Sequence, residues 1–122
     1  MARILVVDDS NIVLGLHSFM LESAGHDCVG VANGFMALES LMRDTFDMVV
    51  SDVNMPQMDG YELTRQIRRL DDYRETPIIL ISSQQGEKDK AKGLEAGANA
   101  YIVKPTDPAA LVMNVNMLLA AE

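Results

Sequence analysis

The chain has 122 residues, 48% of them apolar and 23% charged, a composition that fits one soluble globular domain with its own core. A formal net charge of −8 leaves no basic patch for phosphate backbones, so direct nucleic-acid binding is not expected. The longest apolar runs, such as Pro77-Ile78-Ile79-Leu80-Ile81, are strand-sized and far too short to cross a bilayer.

The first predicted element, the apolar strand Ile4–Val7, is reached almost directly from Met1, so no targeting leader is expected. It ends abruptly in two adjacent carboxylates, Asp8 and Asp9. Ile12, Leu16, Phe19 and Met20 then recur at helical spacing and predict a first helix with these residues as its apolar face. His17 reads as a surface residue of that helix and His26 as a loop residue. Cys28–Ala32 predicts a second strand, in which Cys28 is a small apolar side chain. A lone cysteine cannot form an internal disulfide, which fits a reducing cytoplasm.

Leu38, Leu41 and Met42 mark a second helix, Met48–Ser51 a third strand, and Leu63, Ile67 and Leu70 a third helix. The fourth strand is Ile78–Ile81, followed by the charged segment Glu87–Glu95 with Ala91 and Leu94 as its modest apolar face. Ala100–Val103 is the fifth strand. The last helix, Ala109–Ala121, opens on Asp107-Pro108, a cap residue before a proline at the first helical position. Gly25, Asn33-Gly34 and Gly97 punctuate the boundaries, and no linker or repeat is visible.

Strands alternating with helices imply an α/β fold with a parallel sheet covered on both faces. Five units fit an open, doubly wound (βα)5 three-layer sandwich better than a closed barrel, which needs eight. The common order for such a flavodoxin-like sheet is 2-1-3-4-5, which sets the first and third strands side by side. Ligands then bind beyond the carboxyl ends of the strands, where the order reverses.

The residues at those ends are therefore the candidates. Asp8 and Asp9 follow the first strand, Ser51-Asp52 ends the third and leads to Asn54, Ser82-Ser83 follows the fourth, and Lys104-Pro105 the fifth. Each alone has a plain structural explanation: Asp9 or Ser10 as a helix cap, Asp59-Gly60 as a turn, the serines as loop formers, Lys104 as a solvated end. Together they gather three carboxylates, and capping a helix needs only one. A hard divalent cation resolves the repulsion, and Mg²⁺ suits one or two carboxylates supplemented by water and a phosphate. No Cys/His cluster suggests zinc. Lys104 can pair with a phosphate oxygen or with Asp52, and Ser82 can donate to the same oxygen. The set amounts to a phosphoryl-transfer site with an aspartate nucleophile, in which Asp8 and Asp9 hold the metal.

Four stretches, "VVDDS", "SDVNMPQMDG", "PIILISS" and "ANAYIVKP", come in the order and spacing of the receiver domain of two-component response regulators. The chain resembles that family across residues 1–122, most closely its single-domain, chemotaxis-type members. The resemblance implies that Asp52 accepts a phosphoryl group from a sensor histidine kinase or a histidine phosphotransfer protein. It implies Mg²⁺ on Asp9 and Asp52, on Asp8 through water, and on the backbone carbonyl of Asn54. Ser82 takes the switch-hydroxyl position and Lys104 that of the conserved-type lysine, with a Lys104-Pro105 bond that is often cis. Tyr101 stands where a switch aromatic turns inward, although a plain half-buried strand residue would look the same. Asn54 and Gln84 occupy positions that tune dephosphorylation. Such a protein is a signalling module, not an enzyme acting on an external metabolite.

The family reads out phosphorylation on the face formed by helix four, strand five and helix five, toward a downstream target or a second copy in a homodimer. Here "DPAALVMNVNMLLAAE" has no Lys or Arg and carries apolar residues nearly all round. That suggests either apolar surface beyond the needs of the core or a helix with scattered exposed apolar residues. A dehalogenase-like phosphohydrolase fits poorly, since it wants D-x-D where this chain has adjacent Asp8-Asp9. A flavin-binding domain fits no better, because these acids would repel its phosphate. A degenerate receiver is disfavoured by the complete acidic set with Ser82 and Lys104.

Overall fold

A computed structural model describes residues 1–121. Its strands are β1 (Arg3–Val7), β2 (Asp27–Val31), β3 (Met48–Asp52), β4 (Ile78–Ser82) and β5 (Ala100–Val103). Its helices are α1 (Asn11–Ser23), α2 (Gly34–Arg43), α3 (Gly60–Arg68), α4 (Glu87–Ala96) and α5 (Pro108–Ala120), with a short 3-10 turn at Asp71–Tyr73. All neighbouring strands pair in parallel in the order β2-β1-β3-β4-β5. The doubly wound sandwich and strand order expected from the sequence are thus what the chain forms.

Strand alternation divides the core in two. Ile4, Val6, Met48, Val50, Ile79 and Ile81 face one layer with Met20, Leu21, Leu111 and Val115 of α1 and α5. Leu5, Val7, Val49, Ile78 and Leu80 face the other, against Ala37 and Leu41 of α2, Leu63 and Ile67 of α3, and Ala96 of α4. Each fully buried Ile or Leu contributes about 1.5–3 kcal/mol, so the three central strands, apolar on both faces, anchor the sheet.

Local chemistry sets where helices begin. The Ser10 hydroxyl caps α1 through the Val13 N–H, Asn33 caps α2 through Met36, and the Asp59 carboxylate caps α3 through Glu62. Asp59 is therefore a cap and not merely part of a turn. Asp107 precedes α5 without making a side-chain cap bond; Pro108, fixed near helical φ, starts the helix instead. α4 ends on Gly97 at φ 115°, a left-handed conformation that suits glycine.

Two helices turn a different face inward from the one expected. Ile12, Leu16 and Phe19 are 85%, 50% and 68% exposed; of the expected face of α1 Met20 alone is buried, together with His17 and Leu21. Apolar residues cover most of α1's circumference, so spacing alone marks no single inward stripe, and packing on the sheet chooses one. In α4 both Ala91 and Leu94 are exposed, and Gly93 and Ala96 are buried. The helix sits too close for a large side chain there: a Cβ on Gly93 would lie 3.2 Å from Tyr101 Cδ2 and 3.4 Å from Leu80 Cδ1. Met42 on α2 is likewise exposed, while Leu41 beside it is buried.

Candidate functional site

Because β1 and β3 are neighbours, with Val7 beside Ser51, the residues after them meet at one edge. Asp8 and Asp52 are buried there, 2% and 5% exposed, with Asp9 at the exposed rim. One carboxylate oxygen from each of Asp8, Asp9 and Asp52 lies within 4.8 Å of the others. From the end of β5, Lys104 Nζ reaches to 2.8 Å from Asp52 Oδ1 and 3.9 Å from Asp8 Oδ2.

Asp8 Oδ1 accepts the Ser10 N–H at 2.9 Å. Its other oxygen makes no hydrogen bond and has only Lys104 Nζ at 3.9 Å, whereas Asp52 Oδ1 is taken by that ammonium at 2.8 Å. Burial is the main cause that raises the pKa of both groups; Lys104 lowers both, and the Ser10 amide also lowers Asp8. The remaining carboxylates push the same way as burial. One lysine therefore undercompensates two buried acids and a third at the rim. A buried Asp8 oxygen without a hydrogen-bond partner, beside carboxylate oxygens of Asp9 and Asp52, is what a hard cation with an incomplete protein shell would satisfy, so these residues fit Mg²⁺.

The other expected residues frame the same edge. Ser82 is fully buried, and its hydroxyl accepts the Gln84 N–H at 3.0 Å, which leaves its own proton free to donate. The Ser82 carbonyl accepts the Lys104 N–H at 2.8 Å. Asn54 is exposed two residues past Asp52. Tyr101 is half-buried, and its hydroxyl donates to the Gln84 carbonyl at 2.9 Å, so it is tied to the loop that Ser82 opens. The Lys104-Pro105 bond is cis. Cys28 is a half-buried strand residue whose thiol is pushed up to about 11 by burial, in keeping with an inert side chain.

Two features escaped the sequence reading. A Cβ on Gly60 would stand 2.5 Å from the Asp52 carbonyl oxygen and 2.8 Å from Val53 Cα, so only glycine lets α3 start against the strand that carries Asp52. The Asp59-Gly60 pair was its signal, seen only as a turn. His17 is not a surface residue: it is 3% exposed, and its Nε2 lies 3.0 Å from Thr106 Oγ1. A cavity of about 410 Å³ beside the site is lined by Val13, Leu16, His17, Lys104, Pro105 and Thr106.

The sequence model of the response regulator receiver domain matches residues 4–116. The chain belongs to the response-regulator receiver family. Protein PilH of Pseudomonas aeruginosa is 34% identical over 120 residues, 98% of this receiver and 99% of PilH. The regulatory protein PhoP of Bacillus subtilis, named for alkaline phosphatase synthesis, is 34% identical over 117 residues, and the receiver spans 48% of it. It spans only 13% of a gliding motility regulatory protein of Myxococcus xanthus at 35% identity. Among solved structures, the chemotaxis protein CheY4 of Vibrio cholerae superposes with a TM-score of 0.92 at 34% identity, covering 97% of this receiver and 98% of that chain. A receiver domain of a Pseudomonas aeruginosa sensor histidine kinase, with magnesium coordinated in its active-site cleft, gives 0.90 at 32% identity over 98% of each chain. No helix of the described residues is long and apolar enough to cross a membrane.

Proposed function

We propose that this receiver is a phosphorylatable signalling switch whose phosphoacceptor is Asp52. The observation that carries the reading is the buried Asp52 carboxylate, 2.8 Å from Lys104 and flanked by Asp8 and Asp9. One Asp52 oxygen attacks phosphorus on a donor phosphohistidine; the new O–P bond forms as the P–N bond breaks, and the imidazole leaves with the electron pair. Lys104 and the Ser82 hydroxyl take phosphoryl oxygens, a preorganised electrostatic clamp of the kind that dominates such transfers. Asp8, Asp9, Asp52 and the Asn54 carbonyl would hold Mg²⁺, which when bound offsets the charge of the phosphoryl oxygens.

The donor protein, a sensor histidine kinase or phosphotransfer protein, has an exposed apolar surface to land on in Ile12, Leu16 and Phe19 of α1, of which Leu16 lines the cavity beside Lys104. Drawing Ser82 toward the phosphoryl group shifts the β4–α4 loop that Tyr101 holds, so phosphorylation biases two arrangements of the α4–β5–α5 face. Met113 and Met117, 58% and 65% exposed on α5, offer apolar contact there for a downstream protein or a second copy. The module acts in the cytoplasm and turns over no external metabolite. The chemotaxis and gliding-motility relatives support a motility-type pathway.

Intact mass after incubation with Mg²⁺ and acetyl phosphate or phosphoramidate tests this. A phosphoryl adduct that needs Mg²⁺, is lost in hydroxylamine and is absent from Asp52→Asn is expected. No adduct with either donor, although Mg²⁺ binds, would overturn small-donor phosphorylation at Asp52.

A further inference from the structure

Every buried hydrophobic position in the layer between α1, α5 and the sheet belongs to an apolar cluster, yet α1 places an imidazole beside it. His17 has Leu14, Met20 and Leu21 one turn away on its own helix and is 3% exposed. An apolar residue would suit such a slot, and a buried polar group is costly without a partner. The partner is Thr106 Oγ1 at 3.0 Å, 89 residues away in sequence. Among the described residues this is the one hydrogen bond between α1 and the β5–α5 loop, residues 104–107.

That loop has few other ties. The Lys104 N–H is held by the Ser82 carbonyl at 2.8 Å, and the Asp107 side chain makes no cap bond. Lys104 is a long lever whose ammonium must sit 2.8 Å from Asp52 Oδ1. Its backbone is fixed on one side by Ser82 and, two residues on, by the grip of His17 on Thr106.

We propose that His17 is a positioning residue for the phosphoryl-transfer site, acting through Thr106 to hold the segment that presents Lys104. Burial keeps its imidazole neutral at neutral pH, as one partner of a bond between uncharged groups; the charged groups facing it are Lys104 from the end of β5 and Asp52 from the end of β3. The proposal rests on the phosphorylation reading for its effect on rate, but its structural half stands apart from that reading.

The competing explanation is a polar pair that merely satisfies itself. Replacing both partners by apolar residues separates the two, since an apolar pair restores packing but not a directional tie. The test compares Thr106→Val, Thr106→Ser, His17→Val and the His17→Val/Thr106→Val double variant. Three quantities are read: the thermal midpoint, the initial rate of Mg²⁺-dependent adduct formation with phosphoramidate, and amide exchange at Lys104 and at Val6. Thr106→Val slows adduct formation about three- to tenfold, as expected of a slightly misplaced charged group. It also speeds Lys104 amide exchange about fivefold while leaving Val6 unchanged. Thr106→Ser keeps the wild-type rate. The double variant regains the midpoint yet stays as slow as the slower single variant. Lys104 exchange and rate within about twofold of wild type in Thr106→Val, or full recovery of both in the double variant, would overturn the proposal. If wild type forms no adduct with phosphoramidate, small-donor phosphorylation at Asp52 fails, and Lys104 exchange still decides whether His17 positions the loop.

Discussion

At the amino ends of β4 and β5, the Arg68 guanidinium donates to the carbonyls of Gly97, Tyr73 and Thr76 and to the Asn99 side chain, at 2.7–3.0 Å. Asn99 in turn accepts the Ile78 N–H, and the Arg3 N–H is met by Asp47 at 2.8 Å. At the carboxyl ends of β1 and β3, a buried Asp8 oxygen has no hydrogen-bond partner, and Lys104, paired with Asp52 at 2.8 Å, reaches that oxygen only at 3.9 Å. The amino end half-buries one charge and pairs it fully; the carboxyl end buries two carboxylates and does not. The amino end spends its charge on structure, whereas the carboxyl end keeps unmatched charge whose relief depends on something bound.

Opening the closed end should therefore cost the most stability and leave the site's chemistry alone. Arg68→Ala strands three carbonyls and is expected to lower unfolding free energy by about 3 kcal/mol, read from the urea midpoint. Mg²⁺-dependent adduct formation should stay within about twofold of wild type, because Arg68 braces the opposite end of the sheet. Gly60→Ala blurs the division. Its Cβ would press on the Asp52 carbonyl, so about 2 kcal/mol of stability and most of the adduct rate should fall together. A Gly60→Ala variant that loses stability but phosphorylates at the wild-type rate would show that backbone strain at Asp52 does not reach its carboxylate.

What the sequence made legible follows the same division. Asp8, Asp52, Ser82 and Lys104 sit where strands end, so the strand pattern and the 2-1-3-4-5 order were enough to bring them together. The inward faces of α1 and α4 were not legible. α1 carries Ile12, Val13, Leu14, Leu16, Phe19, Met20 and Leu21, too many apolar positions to define one stripe. α4 buries its small residues because it packs close to Tyr101 and Leu80, which spacing cannot express. His17 and Thr106 meet across 89 residues, and neither carries a local signal of the other. Arg68 carries no local signal of the carbonyls gathered around it, which only the fold brings together.

The open end should respond to its ligand. Mg²⁺ at about tenfold excess over its Kd should stabilise wild type by about 1.4 kcal/mol through mass action, and Asp52→Asn by less. Without metal the order reverses: Asp52→Asn removes one buried carboxylate from an undercompensated cluster and should melt above wild type. Melts with and without Mg²⁺ would then cross. A metal-free Asp52→Asn that melts below wild type would mean that the ion pair to Lys104 outweighs burial and repulsion at Asp52.

The smallest effect is on pH dependence, where the site's groups act with opposite signs. The pKa values of Asp8 and Asp52 are raised in the folded state, chiefly by burial, so on acidification the folded chain takes up these protons before the unfolded one. Stability from this source is fully present below the ordinary carboxylate value and is lost as pH rises through the raised values. His17 works the other way. Burial lowers its pKa below 6.5, so the unfolded chain protonates first, and stability present above 6.5 is lost as pH falls toward the lowered value. Subtracting the metal-free stability curve of His17→Gln from that of wild type should therefore leave a decline that begins near pH 6.5. The same subtraction with Asp52→Asn should leave a change of opposite sign, a rise as pH falls through the raised Asp52 value. If the His17 difference is flat from neutral pH down to the carboxylate range, the imidazole is not shielded as its burial implies, and the contrast between a dry core layer and an open site edge does not extend to α1.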